Sequence, residues 1–331
     1  MLVAGVIRST PKSPRILSLG SINADFEVKL DAPLGESETA AARDLRRLGG
    51  GKAANVAVVA RLLGCDVCLL GRVGDDDLAE QALRPLREAG IDLAGVRRSV
   101  GERTAFAFIA VPPSGAKRIV LAGEANLGFD DDDIKAVCKA IDAADPASLL
   151  VVDYEISPRA ASQAVRAAHH RGLRVVIDPS FPVGVDHAAL RLAYAITPNE
   201  SEARALTGVS GHGEGAAAAA ARALAELGPP VVCIKLDGGG CLLHHRGRSW
   251  RVGSHPAGPV VDSTGAGDAF TGALAVALFE GQKVPQAAAF AVAASDLAVS
   301  AYGSQPAYPD RERLQEQLRT GRQASSVAVP H

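Results

Sequence analysis

The stretch Asp262-Ser-Thr-Gly-Ala-Gly-Asp268 places two carboxylates, two hydroxyls and two glycines within a single turn of chain. Val260-Val261 leads into it as a short β-branched run, and Phe270, Leu274 and Leu278 follow at the four-residue spacing of one helix face. The pattern predicts a strand-to-helix loop that delivers Asp268 to the first helical turn. Gly265 and Gly267 let backbone N–H groups approach a ligand with no Cβ in the way, and the helix start adds its positive dipole end. Such a loop suits an anion, and phosphate is its natural guest. A carboxylate would repel that guest if binding were the whole task. Asp268 therefore reads as a base that takes a proton from a nucleophile attacking phosphorus. The plainer reading is a glycine-rich turn with Asp268 as its N-cap. Asp262 cannot reach the same atom, and its charge beside an anion hole makes sense if a bound cation offsets it.

A second set of polar residues lies near the start of the chain. Ile16-Leu-Ser-Leu-Gly20 reads as a buried strand, and Ser21-Ile22-Asn23-Ala24-Asp25 follows at its C-terminal end, where open α/β sheets place ligands. On extended backbone Asn23 and Asp25 face the same way, and an amide beside a carboxylate can grip neighbouring hydroxyls. A polar turn is the alternative. Gly49-Gly50-Gly51-Lys52-Ala53-Ala54-Asn55 then opens a helix carrying Val56, Val59, Leu62 and Leu63. It is not a P-loop, because Arg46 stands where the first glycine would be and Ala53 where a hydroxyl should hold magnesium. Cys65-Asp-Val-Cys68 has redox spacing, but Cys68 lies on a predicted strand, Val67 to Gly71, where residues three apart face opposite sides. Gly71-Arg-Val-Gly-Asp75-Asp76 caps the next helix. The acidic run Asp130 to Asp133 reads as the cap and first turn of a helix over 134–142 rather than a metal site.

From Leu149 strands and helices alternate. Strands are expected at 149–153, 174–177, 194–196 and 231–236, and helices at 158–171, 199–206 and 214–227, with a short element near 187–192 and a late apolar helix over 287–300. This alternation predicts an α/β fold with a doubly wound, mostly parallel sheet and helices on both faces. Residues 26–48, which alternate weakly and then run polar, read as exposed strands. With the hairpin-like segment 103–122 they form a small β-strand lid. The expected organisation is a loose tail over 1–14, one domain over 15–320 with that lid, and a second tail over 321–331.

These stretches, in this order from about Ile16 to about Pro309, resemble the ribokinase-like (phosphofructokinase-B type) sugar kinases. The resemblance implies that Asp268 is the catalytic base and that the Gly265, Ala266 and Gly267 amides steady the transferring phosphoryl group. It assigns Asn23, Asp25, Gly51, Lys52, Asn55 and Glu155 to the sugar. Thr197-Pro-Asn199-Glu200-Ser-Glu202 is similar to the family's Asn-x-x-Glu motif. Residues i and i+3 share a helix face, so Asn199 and Glu202 can order Mg2+ through water, helix capping by Asn199 being the alternative. Lys235, Gly238 and Gly240 lie where the family has a loop on the nucleotide, with Asn199 and Gly267 nearby. Ala301-Tyr-Gly303-Ser-Gln305 resembles the segment that holds a monovalent cation, which implies a K+ site at Asp262, Thr264 and Gly303.

The departures are Ser263 for the usual threonine, Asp237 for a glycine, Glu124-Ala-Asn126 for a glycine-led lid motif, and Asp178-Pro-Ser-Phe181, closer to fructokinase-type members. The expected activity is ATP-dependent phosphorylation of a small sugar hydroxyl, D-ribose before fructose. A nucleoside kinase would want aromatic stacking partners, and aromatics are only 4% of the chain, although Phe106 and Phe108 in the lid could supply them. A silent sugar-sensing module would need no Asp268, Asn199 and Glu202 together.

Composition bounds the rest. The chain of 331 residues is 47% apolar, enough for a large core, and a formal charge of −2 gives no reason to expect a nucleic-acid partner. Residues 2–7 are too short an apolar run for a membrane span or signal peptide. Five cysteines, an odd number at low density, suit a reducing cytoplasm. The lid strands would leave open edges and an apolar face, which predicts a homodimer through residues 26–48 and 103–122.

Overall fold

Short runs of valine, isoleucine and leucine bounded by glycines and polar turns become strands, because β-branched side chains fit a pleated sheet buried on both faces. The computed structural model describes residues 13–320 other than 34, 36–38, 115–116 and 257, together with the backbone of Val327–Ala328. The first half comprises β1 (Ile16–Leu19), β2 (Asn23–Leu30), β3 (Ala42–Gly50), α1 (Lys52–Leu62), β4 (Val67–Gly74), α2 (Asp77–Glu88), β5 (Asp92–Ser99), β6 (Phe106–Val111), β7 (Arg118–Ala122) and α3 (Asp131–Asp142). Then come β8 (Leu149–Asp153), α4 (Pro158–Arg171), β9 (Arg174–Asp178), α5 (His187–Leu190), β10 (Ala195–Ile196), α6 (Glu200–Thr207), α7 (Gly213–Glu226) and β11 (Val231–Lys235). The chain closes with β12 (Cys241–His245), β13 (Arg248–Val252), α8 (Ala266–Phe279), α9 (Val284–Ala298), α10 (Arg311–Thr320) and β14 (Val327–Ala328).

The main sheet runs β14-β13-β12-β11-β10-β9-β8-β1-β4-β5. It is parallel from β11 to β5, and β12, β13 and β14 add antiparallel at one edge. Successive residues alternate between two cores. Ile16, Leu149, Val151, Val231 and Cys233 pack under α1, α8 and α9. Leu17, Leu19, Leu150, Val152, Val232 and Ile234 pack under α3, α4 and α7. Cys65 and Cys68 fall into opposite cores, as alternation requires. Local signals end the helices where expected: Asp76 caps α2, Asp130 and Asp133 form a reciprocal capping box on α3, and Gly172 in the left-handed region stops α4.

The chain leaves β1 for β4 and β5 on one side and later returns to β8 on the other. This reversal opens a crevice at the carboxyl ends of the strands. A separate four-stranded sheet, β3-β2-β6-β7, covers that crevice. In it β2 pairs parallel with β6, and the outer pairs are antiparallel.

Three local expectations are corrected. β2 is central and buried rather than exposed, with Val28 and Leu30 in a small apolar cluster and Glu27 fully buried; only β3 carries the exposed polar run. β4 continues past Gly71 to Gly74, so the β4–α2 turn begins later. β5 and β13 were not anticipated, because strands near a sheet edge have partly exposed polar sequences with little apolar alternation. The tail expected over 1–14 falls outside the described residues up to position 12. The one expected over 321–331 does too, apart from Val327–Ala328, whose backbone pairs with β13. Among the described residues no helix is long and apolar enough to cross a membrane.

Candidate active site

One crevice of about 750 Å³ runs from the lid to the β12 edge, and nearly every residue singled out from the sequence lines it. Its centre is the start of α8. Gly265 occupies the helix N-cap at φ 75°, where a Cβ would overlap the Tyr308 hydroxyl, and that hydroxyl donates back to the Gly265 carbonyl at 3.2 Å. No side chain caps α8, so its first N–H groups face the crevice with the dipole behind them. Asp268 is not the cap. It sits in the first turn, buried, with Oδ2 accepting from Asn55 Nδ2 at 2.7 Å and Oδ1 3.5 Å from Lys52 Nζ. Asn55 is itself oriented by Gln305, whose amide donates to Asn55 Oδ1 at 3.1 Å. α1 and α8 approach closely enough for this because Gly272 faces Val59, where a Cβ would lie 2.9 Å from the valine Cβ.

Lys52 binds this set together. Burial alone would discharge the amine, but Asp178, Asp268, Glu155 and Glu202 surround it and hold its pKa well above the usual lysine value. Asp178 also takes Lys235 Nζ at 2.9 Å and the Thr271 hydroxyl at 3.0 Å, and the two lysines outweigh burial to keep its pKa low.

At the lid end Asn23 and Asp25 project together from β2, as their spacing predicted. Asn23 Oδ1 accepts from Asn126 Nδ2 at 2.8 Å, and Asn126 Oδ1 accepts from the Ile22 N–H at 3.2 Å. Glu124, where the related motif is glycine-led, takes φ 38° to make that turn. Asp25 Oδ1 has no hydrogen-bond partner. Burial first, and then the charges of Glu155, Glu27 and Asp268, push its pKa well up. A Cβ on Gly50 would overlap the Asp25 carboxylate, so the triple glycine makes room for an acid as well as a ligand. Glu155 Oε2 accepts from the Ser21 hydroxyl at 2.9 Å, and the same hydroxyl accepts from the Lys52 N–H at 2.8 Å. Asp153 anchors both chain segments, accepting from the Ser21 N–H at 3.0 Å and the Glu155 N–H at 2.8 Å.

The lid contributes Ala107, Ile109, Ile119 and Leu121 to the crevice wall. Phe106 and Phe108 occupy the alternate positions of β6 and do not line it, which removes the stacking role considered for them. Sequence reasoning missed Ser21, Asn126, Asp153, Thr271 and Lys117. Ser21 and Asn126 lay inside stretches already singled out, whereas Asp153, Thr271 and Lys117 had no local signal and are assembled by topology.

At the other end Lys235, Gly238 and Gly240 line the crevice, as do Ser254 and Asp296. Asp237 is exposed, and Asp296 accepts from the Ser254 hydroxyl and the His255 N–H. Asn199 and Glu202 form a full capping box on α6, so the capping alternative is realised for both. Glu202 Oε2 is engaged by the Asn199 N–H at 2.8 Å, but the residue lines the crevice near Asp178, whose Oδ1 has no hydrogen-bond partner. That oxygen lies 3.9 Å from Lys52 Nζ, and with no hydrogen bond of its own, near a second carboxylate, it belongs to a donor set that fits a hydrated divalent ion.

Asp262, Thr264 and Gly303 do come together. Asp262 is fully buried; Oδ1 accepts from the Thr264 N–H and hydroxyl at 2.9 and 2.7 Å, and Oδ2 from the Gly303 N–H at 3.0 Å. Thr264 and Gly303 thus present N–H and O–H groups to the carboxylate. Beside it lies Glu27, fully buried against Asp262 and the Tyr302 hydroxyl, whose pKa rises to about 7 through burial first and then the Asp262 charge. Two buried carboxyls without a basic ion-pair partner among the described residues fit a monovalent cation.

Comparison with known proteins gives one direction. The model of the pfkB family carbohydrate kinases matches residues 13–311. The ribokinase of Haemophilus influenzae is 31% identical over 300 residues, covering 91% of this chain and 97% of that protein. The bifunctional ribokinase/ribose-5-phosphate isomerase A of Fructilactobacillus sanfranciscensis is 30% identical over 302 residues, 91% of this chain, which spans 55% of that protein's length. The structure of Arabidopsis thaliana ribokinase complexed with ribose and ATP superposes with a TM-score of 0.79 at 30% identity, covering 93% of this chain and 99% of that one.

Asp25 makes the site measurable through stability. A buried carboxyl with a raised pKa binds its proton more tightly in the folded state, so its ionisation costs stability as pH rises above about 4, the ordinary aspartate value. In ligand-free protein, Asp25→Asn should melt higher than wild type at pH 8, with the difference shrinking towards pH 4. Melting curves of both proteins across that range check this; a difference independent of pH would refute it.

Proposed function

The chain belongs to the pfkB family of carbohydrate kinases, and we propose that it transfers the γ-phosphoryl group of ATP to a hydroxyl of a small sugar, D-ribose before fructose. The observation that carries this reading is Asp268, set by Asn55 at the mouth of an uncapped helix start with Asp25, Asn23 and Glu155 across the crevice. Asp268 accepts the proton of the attacking sugar hydroxyl, and the Gly265, Ala266 and Gly267 amides bear the charge of the transferring group. Lys52 keeps the surrounding carboxylates from repelling the phosphate chain. Asn23, Asp25, Lys52, Asn55 and Glu155 offer donors and acceptors to several hydroxyls of one ring, and the lid covers it with aliphatic side chains. Among the described residues no lid aromatic lines the crevice wall, which favours a sugar over a nucleoside.

ATP fits along Lys235, Gly238 and Gly240, and an ATP-bound relative supports that direction. Magnesium, held through water by Glu202 and Asn199, would neutralise phosphate charge. Potassium at Asp262 would offset the two buried carboxyls there and order the loop that follows. We assign the enzyme to the cytoplasm, in keeping with its ATP chemistry and with cysteines that form no disulfide among the described residues. The domain runs over 15–320, with its lid from segments near 26–48 and 103–122.

Asp268→Asn should retain sugar and ATP binding while turnover falls about 10²- to 10⁴-fold. ADP release measured over pentoses, hexoses and nucleosides tests both mechanism and substrate. Wild-type turnover in the variant sinks the base assignment, and a nucleoside outrunning every sugar sinks the substrate. Turnover should also be higher in potassium than in tetramethylammonium at equal ionic strength, and equal rates would remove the cation site.

The lid supports a homodimer, because Leu45, Phe108 and Val120 stay exposed on it. Sedimentation at micromolar concentration should give a dimer that a Val120→Lys substitution weakens; a monomeric wild type would refute it.

A further inference from the structure

Three lysines line the crevice, and they are not equivalent. Lys235 is ion-paired to Asp178 at 2.9 Å, and Lys52 is shared between Asp268 at 3.5 Å and Asp178 at 3.9 Å. Lys117 comes from the lid, immediately before β7, and its Nζ reaches across to donate to the Ser263 carbonyl at 2.8 Å. It makes no ion pair within 4 Å among the described residues, although an ammonium carries three donors. Burial pushes its pKa below the usual lysine value and Lys52 adds to that, while Asp268 most strongly, then Asp262 and Glu27, favour the charged ammonium. Lys117 is thus a lid cation near the base and the α8 start, held among the described residues by a single backbone carbonyl.

A carbonyl is a weak partner for a partly buried ammonium when a phosphoryl group carrying several anionic oxygens arrives at the neighbouring helix start. We propose that Lys117 is a catalytic residue of the lid, which moves from the Ser263 carbonyl to a non-bridging oxygen of the transferring phosphoryl group. This inference rests on the kinase reading and deepens it. In the step, the sugar oxygen bonds to the γ-phosphorus, the bond from that phosphorus to the β,γ-bridging oxygen breaks with its electron pair leaving on ADP, and the hydroxyl proton goes to Asp268. Lys117 donates a hydrogen bond throughout and transfers no proton. Because the same lid covers the sugar with Ile109, Ile119 and Leu121, the cation is in place only when the lid lies over the crevice. Sugar occupancy and phosphoryl stabilisation are then coupled through one side chain, which disfavours ATP cleavage by water.

The test compares Lys117→Met, which keeps length and loses charge, with Lys117→Arg. The methionine variant should lose about 10²- to 10³-fold in kcat, the cost of removing one charge-stabilising donor, with little change in sugar affinity. Its affinity for ADP with aluminium fluoride and sugar, a mimic of the transferring phosphoryl, should fall in parallel, while its affinity for ADP with sugar stays as in wild type. Arginine should recover part of both losses. Wild-type kcat in the methionine variant overturns the proposal. Equal weakening of ADP with and without aluminium fluoride also overturns it, as does an arginine variant no better than methionine. Sugar-dependent ADP release by the wild-type protein tests the kinase reading separately, so the two failures are distinguishable.

Discussion

A mostly buried ammonium among buried carboxylates is the interaction on which the rest of the site depends. Lys52 stands between Asp178 and Asp268, with Glu155 and Glu202 nearby, and no one of these acids neutralises it alone. An isolated charge in such a place costs several kcal/mol, and removing one member of a buried set leaves its neighbours uncompensated. The arrangement persists because the charges are mutually compensating and tied to fixed backbone. Lys52 sits at the first position of α1, Asp178 ends β9, and Asp268 lies in the first turn of α8. In the proposed function the same set meets a phosphate chain and a polyhydroxyl acceptor, whose donors and acceptors would complete it.

Backbone proximity is the second constraint. A Cβ on Gly20 would overlap the Asp153 carboxylate, and one on Gly50 would overlap that of Asp25. The glycines near these strand ends therefore let acids enter the crevice wall where a side chain would otherwise fill it. The Ser21 hydroxyl donates to Glu155 and accepts from the Lys52 N–H, which ties the β1 end, the β8 end and the α1 start together.

The lid is attached to this unit and also to the segment at Tyr302 and Gly303. Arg46 from β3 donates to the Tyr302 carbonyl at 3.3 Å, and Lys29 and Arg46 each lie 4.3 Å from the Tyr302 ring centre. Gly303, the next residue, donates to Asp262. Lid position and the geometry of the loop before Asp268 are consequently linked through Tyr302, a connection carried by cation–π and hydrogen-bond contacts rather than by the chain itself.

The sequence by itself determined the alternating strands and helices over 149–236 and the glycine-rich turn that starts α8 at Gly265. It also determined the paired facing of Asn23 and Asp25 and the caps at Asp76 and Asp130. Each of these is a local pattern, set by side-chain period or by a backbone conformation that few residues adopt. Tertiary structure decided what local patterns do not encode. It buried β2, which reads as half polar, by placing it at the centre of the lid. It turned Phe106 and Phe108 away from the crevice, and it showed Asn199 and Glu202 serving the helix cap. It brought Asp153, Thr271 and Lys117 to the site from segments with no signature of their own. A buried charge is placed by the partners that neutralise it, and here those partners lie far away in the chain: 213 residues separate Asn55 from Asp268, and 146 separate Lys117 from Ser263. Such pairings follow from strand order and helix packing, which no window of sequence contains.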